Sequence, residues 1–253
     1  MVSREELIDA IWSGVTKNTR VLSLSHITSP TALILAIEPL MRQARDCQII
    51  TVVDGAHAPG QLRLHLHALG ADFYVGNCHK WMCAPKGSAF LYARPEAQPL
   101  LQPLVVSWGW HSDRPGASRF VDEQEWQGTC DIAAYLSIPR AITFLDEHRW
   151  EDVRQYGHRL ASLTREQITS LTGVAPIQPD SPDWYAQMVS MALPSCHEQG
   201  LQQALYHRFG IEVPILRWHD TSLIRVSVQG YNTPADIGAL SQGLTELLPG
   251  FQT

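Results

Sequence analysis

Apolar and polar positions change rhythm repeatedly along this chain, and the changes predict an alternation of helices and strands. Ser3 to Ser13 reads as a short helix, with Ser3 as its N-cap and Glu6 at the third helical position. Val21 to Ser25 reads as a strand, and a helix follows near Ile37 to Asp46. Ile49 to Val53 is an unbroken apolar run flanked by turn residues, which suits a parallel strand buried on both faces. A strand pair is expected at Asp72 to Val75 and Ser88 to Tyr92, then an irregular Pro/Gly/Trp-rich stretch from Pro95 to about Ser118. Ile132 to Trp150 and Glu151 to Leu171 read as two helices. Beyond them come a strand at Met188 to Leu193, a helix at Leu201 to Phe209 and strands at Ile211 to Pro214 and Leu223 to Val228. A last helix runs from Pro234 to Leu248, its proline well placed in the first turn.

This order predicts an α/β protein of two lobes. Residues 1–130 form part of a large domain with a mainly parallel sheet, residues 131–165 supply connecting helices, and residues 166–253 form a smaller C-terminal α+β domain. There is no internal repeat and no low-complexity segment. Asp54 falls at the C-terminal end of its strand, where open α/β sheets hold their ligands.

Composition narrows the partners. A net charge of −6 without a Lys/Arg-rich block argues against nucleic acid or an acidic membrane surface. No apolar run is long enough to span a bilayer, and the stretch from Met1 to Glu6 lacks a signal peptide's hydrophobic segment. Five scattered cysteines with no C-x-x-C pair suit reduced thiols in a cytoplasm.

The chain has three lysines, Lys17, Lys80 and Lys86. Lys80 follows a strand and opens a loop, so it is the first choice for Schiff-base chemistry. Pyridoxal phosphate (PLP) catalysis needs such an amine, and a carboxylate beside the pyridine nitrogen to keep the ring electron-poor. Asp54 suits that carboxylate. His57 is placed to stack on the ring or to bond its edge. Asn77 and His79 are placed to donate to the phosphate, with Gly76 allowing close backbone approach. The bland alternative reads Asp54-Gly55 as a turn and each histidine as an ordinary surface or core residue.

The segments Asp54-Gly55-Ala56-His57-Ala58-Pro59-Gly60, Gly70 to Tyr74, His79-Lys80-Trp81 and Ala84-Pro85-Lys86-Gly87-Ser88 occur in that order. Together they resemble the core of class V aminotransferases, PLP enzymes of fold type I. Ser25 to Thr31, Trp126-Gln127-Gly128-Thr129 and Arg225 to Thr233 extend the resemblance over essentially the whole chain. Within the family it is most similar to the isopenicillin N epimerase-like branch. The resemblance implies that Lys80 carries the cofactor in imine linkage, that Asp54 partners the pyridinium and that His57 contacts the phenolic oxygen. It assigns Asn77 and His79 to the phosphate. It also implies that Thr129 reaches the phosphate of a neighbouring subunit, hence a homodimer, and that Arg225 grips the α-carboxylate of an amino-acid substrate.

Three departures from the pattern are Ala32 where the family often has glycine, His65 where an acid is common, and Cys130 where the branch usually has arginine. Family members also carry a long segment ahead of the position of Met1. The expectation is therefore a fragment or truncated product, or a chain whose missing parts come from elsewhere, that binds PLP weakly or not at all alone and leaves apolar sheet edges exposed. Epimerase- or racemase-like chemistry at Cα is the favoured reaction, with transamination or a non-catalytic remnant as alternatives. Desulfuration is disfavoured because no cysteine lies between Val213 and Arg225. A metal site built from His57, His65, His67 and His79 is the rival from another class, and its spacing is better explained by PLP.

Overall fold

A computed structural model describes residues 3–253; Met1 and Val2, the start of the polar N-terminal stretch, lie outside the described residues. Helix α1 (Arg4–Ser13) begins with the expected reciprocal cap. Ser3 Oγ accepts from the Glu6 N–H at 3.1 Å, and the Glu6 carboxylate accepts from the Ser3 N–H at 2.7 Å. Both amides would otherwise end the helix unpaired.

Strand β1 (Val21–Ser25), helix α2 (Ile37–Asp46), β2 (Ile50–Asp54), the single turn α3 (Leu66–Leu69), β3 (Phe73–Asn77) and β4 (Ala89–Ala93) follow. The strands form one sheet in the order β1-β2-β3-β4. The first three are parallel and β4 runs antiparallel to β3. Cross-strand partners share a face, so one row across the sheet is Ser25, Asp54, Val75 and Leu91. The next row, Leu24, Val53, Tyr74 and Tyr92, faces the other way, toward Ile37, Leu40 and Met41 of α2. That second face is the core of the first lobe.

β2 corrects one expectation. Thr51 and Val53 are buried, but Ile50 and Val52 on the opposite face are only partly covered, by a small cluster around Phe73, Ala93 and Ala97. A continuous apolar run therefore does not mean two buried faces here. Exposed Val21, Val75 and Leu91 lie on this thinly covered side.

After an irregular stretch comes α4 (Arg119–Glu125), an element the hydrophobic pattern does not mark. Ser118 Oγ caps the Val121 N–H, and Arg119 pairs with Glu123 one turn on. The helix expected over Ile132 to Trp150 is divided into α5 (Ala133–Leu136) and α6 (Ile138–Glu147). Ser137 Oγ folds back on the Ala133 carbonyl at 2.7 Å, and Pro139 has no N–H to continue the ladder. Helix α7 (Trp150–Thr172) then runs for 23 residues into the second lobe.

That lobe holds β5 (Met188–Leu193), α8 (Glu198–Phe209), β6 (Ile215–Trp218), β7 (Thr221–Ser227) and α9 (Pro234–Leu247). The sheet order is β5-β7-β6, all antiparallel. No strand forms over residues 211–214; Pro214 only accepts from the Arg225 N–H, and the ladder starts at Ile215. Leu160, Ile168, Leu201, Leu205, Ile224, Leu240 and Leu244 pack into a separate core between this sheet and α7, α8 and α9.

Candidate active site

The strand ends decide what meets. β2 and β3 are parallel neighbours with Asp54 opposite Val75, so the loops leaving their C-terminal ends rise side by side. Asp54 ends β2. Its carbonyl accepts from the His26 N–H at 2.8 Å, and its Oδ1 accepts from the Ala56 N–H at 2.9 Å. Gly55 lies against the Tyr74 ring, and a Cβ added there would come within 2.1 Å of it. Tyr74 is in turn bonded to buried His26 at 2.9 Å. Burial lowers His26 to about 4, so it stays neutral, and burial with the Asp54 charge pushes the Tyr74 phenol up.

From the neighbouring strand, the loop between Cys78 and Ser88 carries Lys80. Its base is pinned because the N–H groups of Cys78 and His79 both point at the Ser88 carbonyl, at 3.0 and 3.3 Å. Lys80 Nζ lies 3.3 Å from His57 Nε2, and the Trp81 indole N–H donates to His57 Nδ1, also at 3.3 Å. Gly60, at φ +90°, lets the His57 loop press against the Trp81 backbone, where a Cβ would sit 2.4 Å from Trp81 C and O. Gln61 holds the His57 carbonyl at 2.8 Å.

Charge and burial act on this group together. His57 is lowered to about 4, by burial first and then by the charges of Lys80 and Arg225, with Asp54 opposing. The Lys80 amine is also held below its ordinary range, by burial first and by Arg225, again against Asp54. The Asp54 charge is thus felt at Lys80, His57 and Tyr74 alike. The amine and the imidazole are in contact, and the acid's charge reaches both.

Arg225 joins them from β7 of the second lobe. Its Nη1 donates to the Ser29 carbonyl and to Ser29 Oγ, both at 2.8 Å, while its buried Nε has no partner. Its Nη2 makes no hydrogen bond among the described residues, and an anchored guanidinium with such a free nitrogen can receive a carboxylate. Asn77 is half-buried at the end of β3, and its side chain makes no hydrogen bond among the described residues. His79 Nδ1 meets the Ser88 carbonyl at 2.9 Å and must carry the proton there. Its Nε2 is then an acceptor, so His79 donates to a phosphate only as imidazolium. Thr129 is exposed in the irregular stretch after α4 and bonds to none of these side chains.

Three of the four histidines of the metal alternative are engaged elsewhere. His57 is bonded to Lys80 and Trp81, His79 to Ser88, and His67 to the Tyr92 hydroxyl at 3.2 Å. No three metal-ligating side chains converge among the described residues. Two cavities, of about 720 and 480 Å³, lie against the residue 59–68 loop and are lined by neither Asp54 nor Lys80. Trp81, Gln61, Ser29 and the His26–Tyr74 pair are the site's unpredicted members. Trp81, His26, Ser29 and Tyr74 lie within the segments that carry the resemblance but had no role there, and Gln61 lies outside those segments.

A family model for aminotransferase class-V matches residues 3–240. Isopenicillin N epimerase of Amycolatopsis lactamdurans is 36% identical over 97% of the chain, and that of Streptomyces clavuligerus 34% over 96%. The chain spans 64% of the length of each of these relatives. An L-cysteine desulfhydrase of Arabidopsis thaliana is 27% identical over 97% of the chain and 60% of its own length. Among solved structures, a cysteine desulfurase of Escherichia coli superposes with a TM-score of 0.79 at 19% identity, covering 98% of this chain and 64% of that one. One of Thermococcus onnurineus gives 0.77 at 22%, covering 98% and 63%. The fold is that of the fold type I PLP enzymes, and the chain belongs to the class-V aminotransferase family, whose members depend on pyridoxal phosphate.

Proposed function

We propose that the chain is the main part of a PLP-dependent enzyme that acts at Cα of an amino-acid substrate, in epimerase- or racemase-like fashion. One observation carries the reading: the Lys80 amine contacts the His57 ring within reach of the Asp54 charge, and the Arg225 guanidinium, anchored on Ser29, acts on the same pair from β7. These donors fit the cofactor. Lys80 would bond it, Asp54 would partner its pyridinium, His57 would contact its ring, and Asn77 with His79 would hold its phosphate. When bound, PLP supplies an electron sink for charge developing at the substrate Cα. The chain's own residues do the rest. Arg225 fixes the substrate carboxylate and so orients the Cα–H bond. Lys80 Nζ then takes up or returns the Cα proton. The exposed Thr129 segment suits a residue that works across a homodimer.

Epimerisation is favoured over transamination by the two epimerase relatives, at 36% and 34% identity. A lyase is the second reading, supported by the desulfhydrase of Arabidopsis thaliana. Incubating the protein with PLP and single L-amino acids in D₂O separates them. Deuterium at Cα together with the opposite configuration supports epimerisation, oxo acid alone supports transamination, and loss of the side-chain group supports a lyase. No exchange with any amino acid counts against the proposal.

A further inference from the structure

The geometry points to Trp81 as a positioning residue: its indole N–H holds His57 in the Nε2–H tautomer, and that tautomer keeps Lys80 as a free amine. The inference rests on the reading of Lys80 as the bond-forming residue. An indole nitrogen donates and never accepts. The Trp81 N–H points at His57 Nδ1 from 3.3 Å, so Nδ1 must present its lone pair. The single proton of a neutral imidazole then sits on Nε2. That nitrogen lies 3.3 Å from Lys80 Nζ, and a hydrogen already occupies the line between them. Lys80 must therefore offer a lone pair in return, which an ammonium lacks. Only the unprotonated amine can attack a carbonyl carbon.

The surroundings fix the ring from both ends. Trp81 is 7% exposed, and its backbone is packed against Gly60 of the histidine's own loop. Gln61 holds the His57 carbonyl and is itself anchored by the Gln187 N–H at 3.0 Å. The charged groups facing the pair are Asp54 from the end of β2 and Arg225 from β7. Asp54 favours a proton on either base, while Arg225 and burial oppose it. The lowered proton affinities of His57 and Lys80 agree with the tautomer argument.

Competitive acylation with acetic anhydride across a range of pH, read for each lysine by peptide mass spectrometry, tests this on the intact chain. Lys80 should label at lower pH than Lys17 and Lys86. Trp81→Phe keeps an aromatic ring but removes the donor, freeing Nδ1 to take the proton and Nε2 to accept from an ammonium. Its Lys80 midpoint should rise by about one unit, roughly tenfold less free amine near neutral pH. An unchanged midpoint in that variant overturns the role of Trp81 and leaves Lys80's own role standing. A native Lys80 that labels together with Lys17 and Lys86 overturns both. NMR of the imidazole nitrogens in the unsubstituted chain decides without any variant: a bare Nδ1 on His57 supports the inference, and a protonated Nδ1 refutes it.

Discussion

At the scale of single residues, the proposed chemistry rests on short ordered motifs. Asp54, His57 and Lys80 come together because two adjacent parallel strands end beside each other, which the pattern itself predicts. Arg225 was legible only through family resemblance, and its Ser29 anchor, 196 residues away, through nothing local. Ala32 adopts φ +56°, a left-handed conformation that glycine takes at less cost, in keeping with the glycine the resemblance leads one to expect there. Two substitutions probe the assigned roles. Asp54→Asn should slow Cα proton exchange by roughly 10²-fold or more, since a neutral amide no longer holds the ring nitrogen protonated. An unaltered rate would remove Asp54 from the chemistry. Arg225→Ala should raise KM for the amino acid by roughly 10–100-fold, the worth of a charge-assisted hydrogen bond. Steady-state kinetics in which only kcat falls would assign it another task.

Elements were read well where periodicity and caps agree. The Ser3–Glu6 exchange fixed the start of α1, and the β5 strand matches its expected bounds, Met188–Leu193. Errors arose where one residue's chemistry outweighs the pattern. Ser137 and Pro139 cut a helix that hydrophobic spacing runs through, and Pro214 displaced a strand to Ile215. α4 escaped because its support is a serine cap and one ion pair rather than an apolar stripe. The far end of the first sheet depends on another side chain. Asp72 accepts from the Thr51 N–H at 2.8 Å and the Thr51 hydroxyl at 2.9 Å, and it pairs with Arg94. It thereby ties β2 to the segments flanking β3 and β4, and Arg94 with Thr51 holds its carboxyl below the usual range despite partial burial. Asp72→Ala should cost roughly 3 kcal/mol by urea denaturation, because it strands Arg94 and two Thr51 donors. A loss within experimental error would mean the sheet closes without this tie.

For the whole molecule, the alternation of helices and strands was visible in the sequence, but the thin cover over the Asp54 face was not. Burial of a strand is set by what packs on it, and the strand's own residues carry no record of that. The fold also carries an acid sensitivity. Buried His26 is held near 4 against an ordinary value of 6.5, so an unfolded chain takes up a proton below 6.5 that the folded one refuses until about 4. His26's contribution is therefore complete above that window, falls as pH drops through it and levels off below, by on the order of 2–3 kcal/mol. His57 adds to it in the same direction. His26→Asn, which can still accept from Tyr74, should flatten the decline in urea midpoint; an undiminished slope would place the sensitivity elsewhere. The most direct trial of the whole reading is borohydride reduction of the chain saturated with PLP, followed by peptide mapping, since reduction accumulates even a weakly held cofactor. A phosphopyridoxyl mark on the Lys80 peptide, lost in Asp54→Asn or reduced there, is the predicted result. Equal marking of Lys17, Lys80 and Lys86, or marking that spares Lys80, would contradict it.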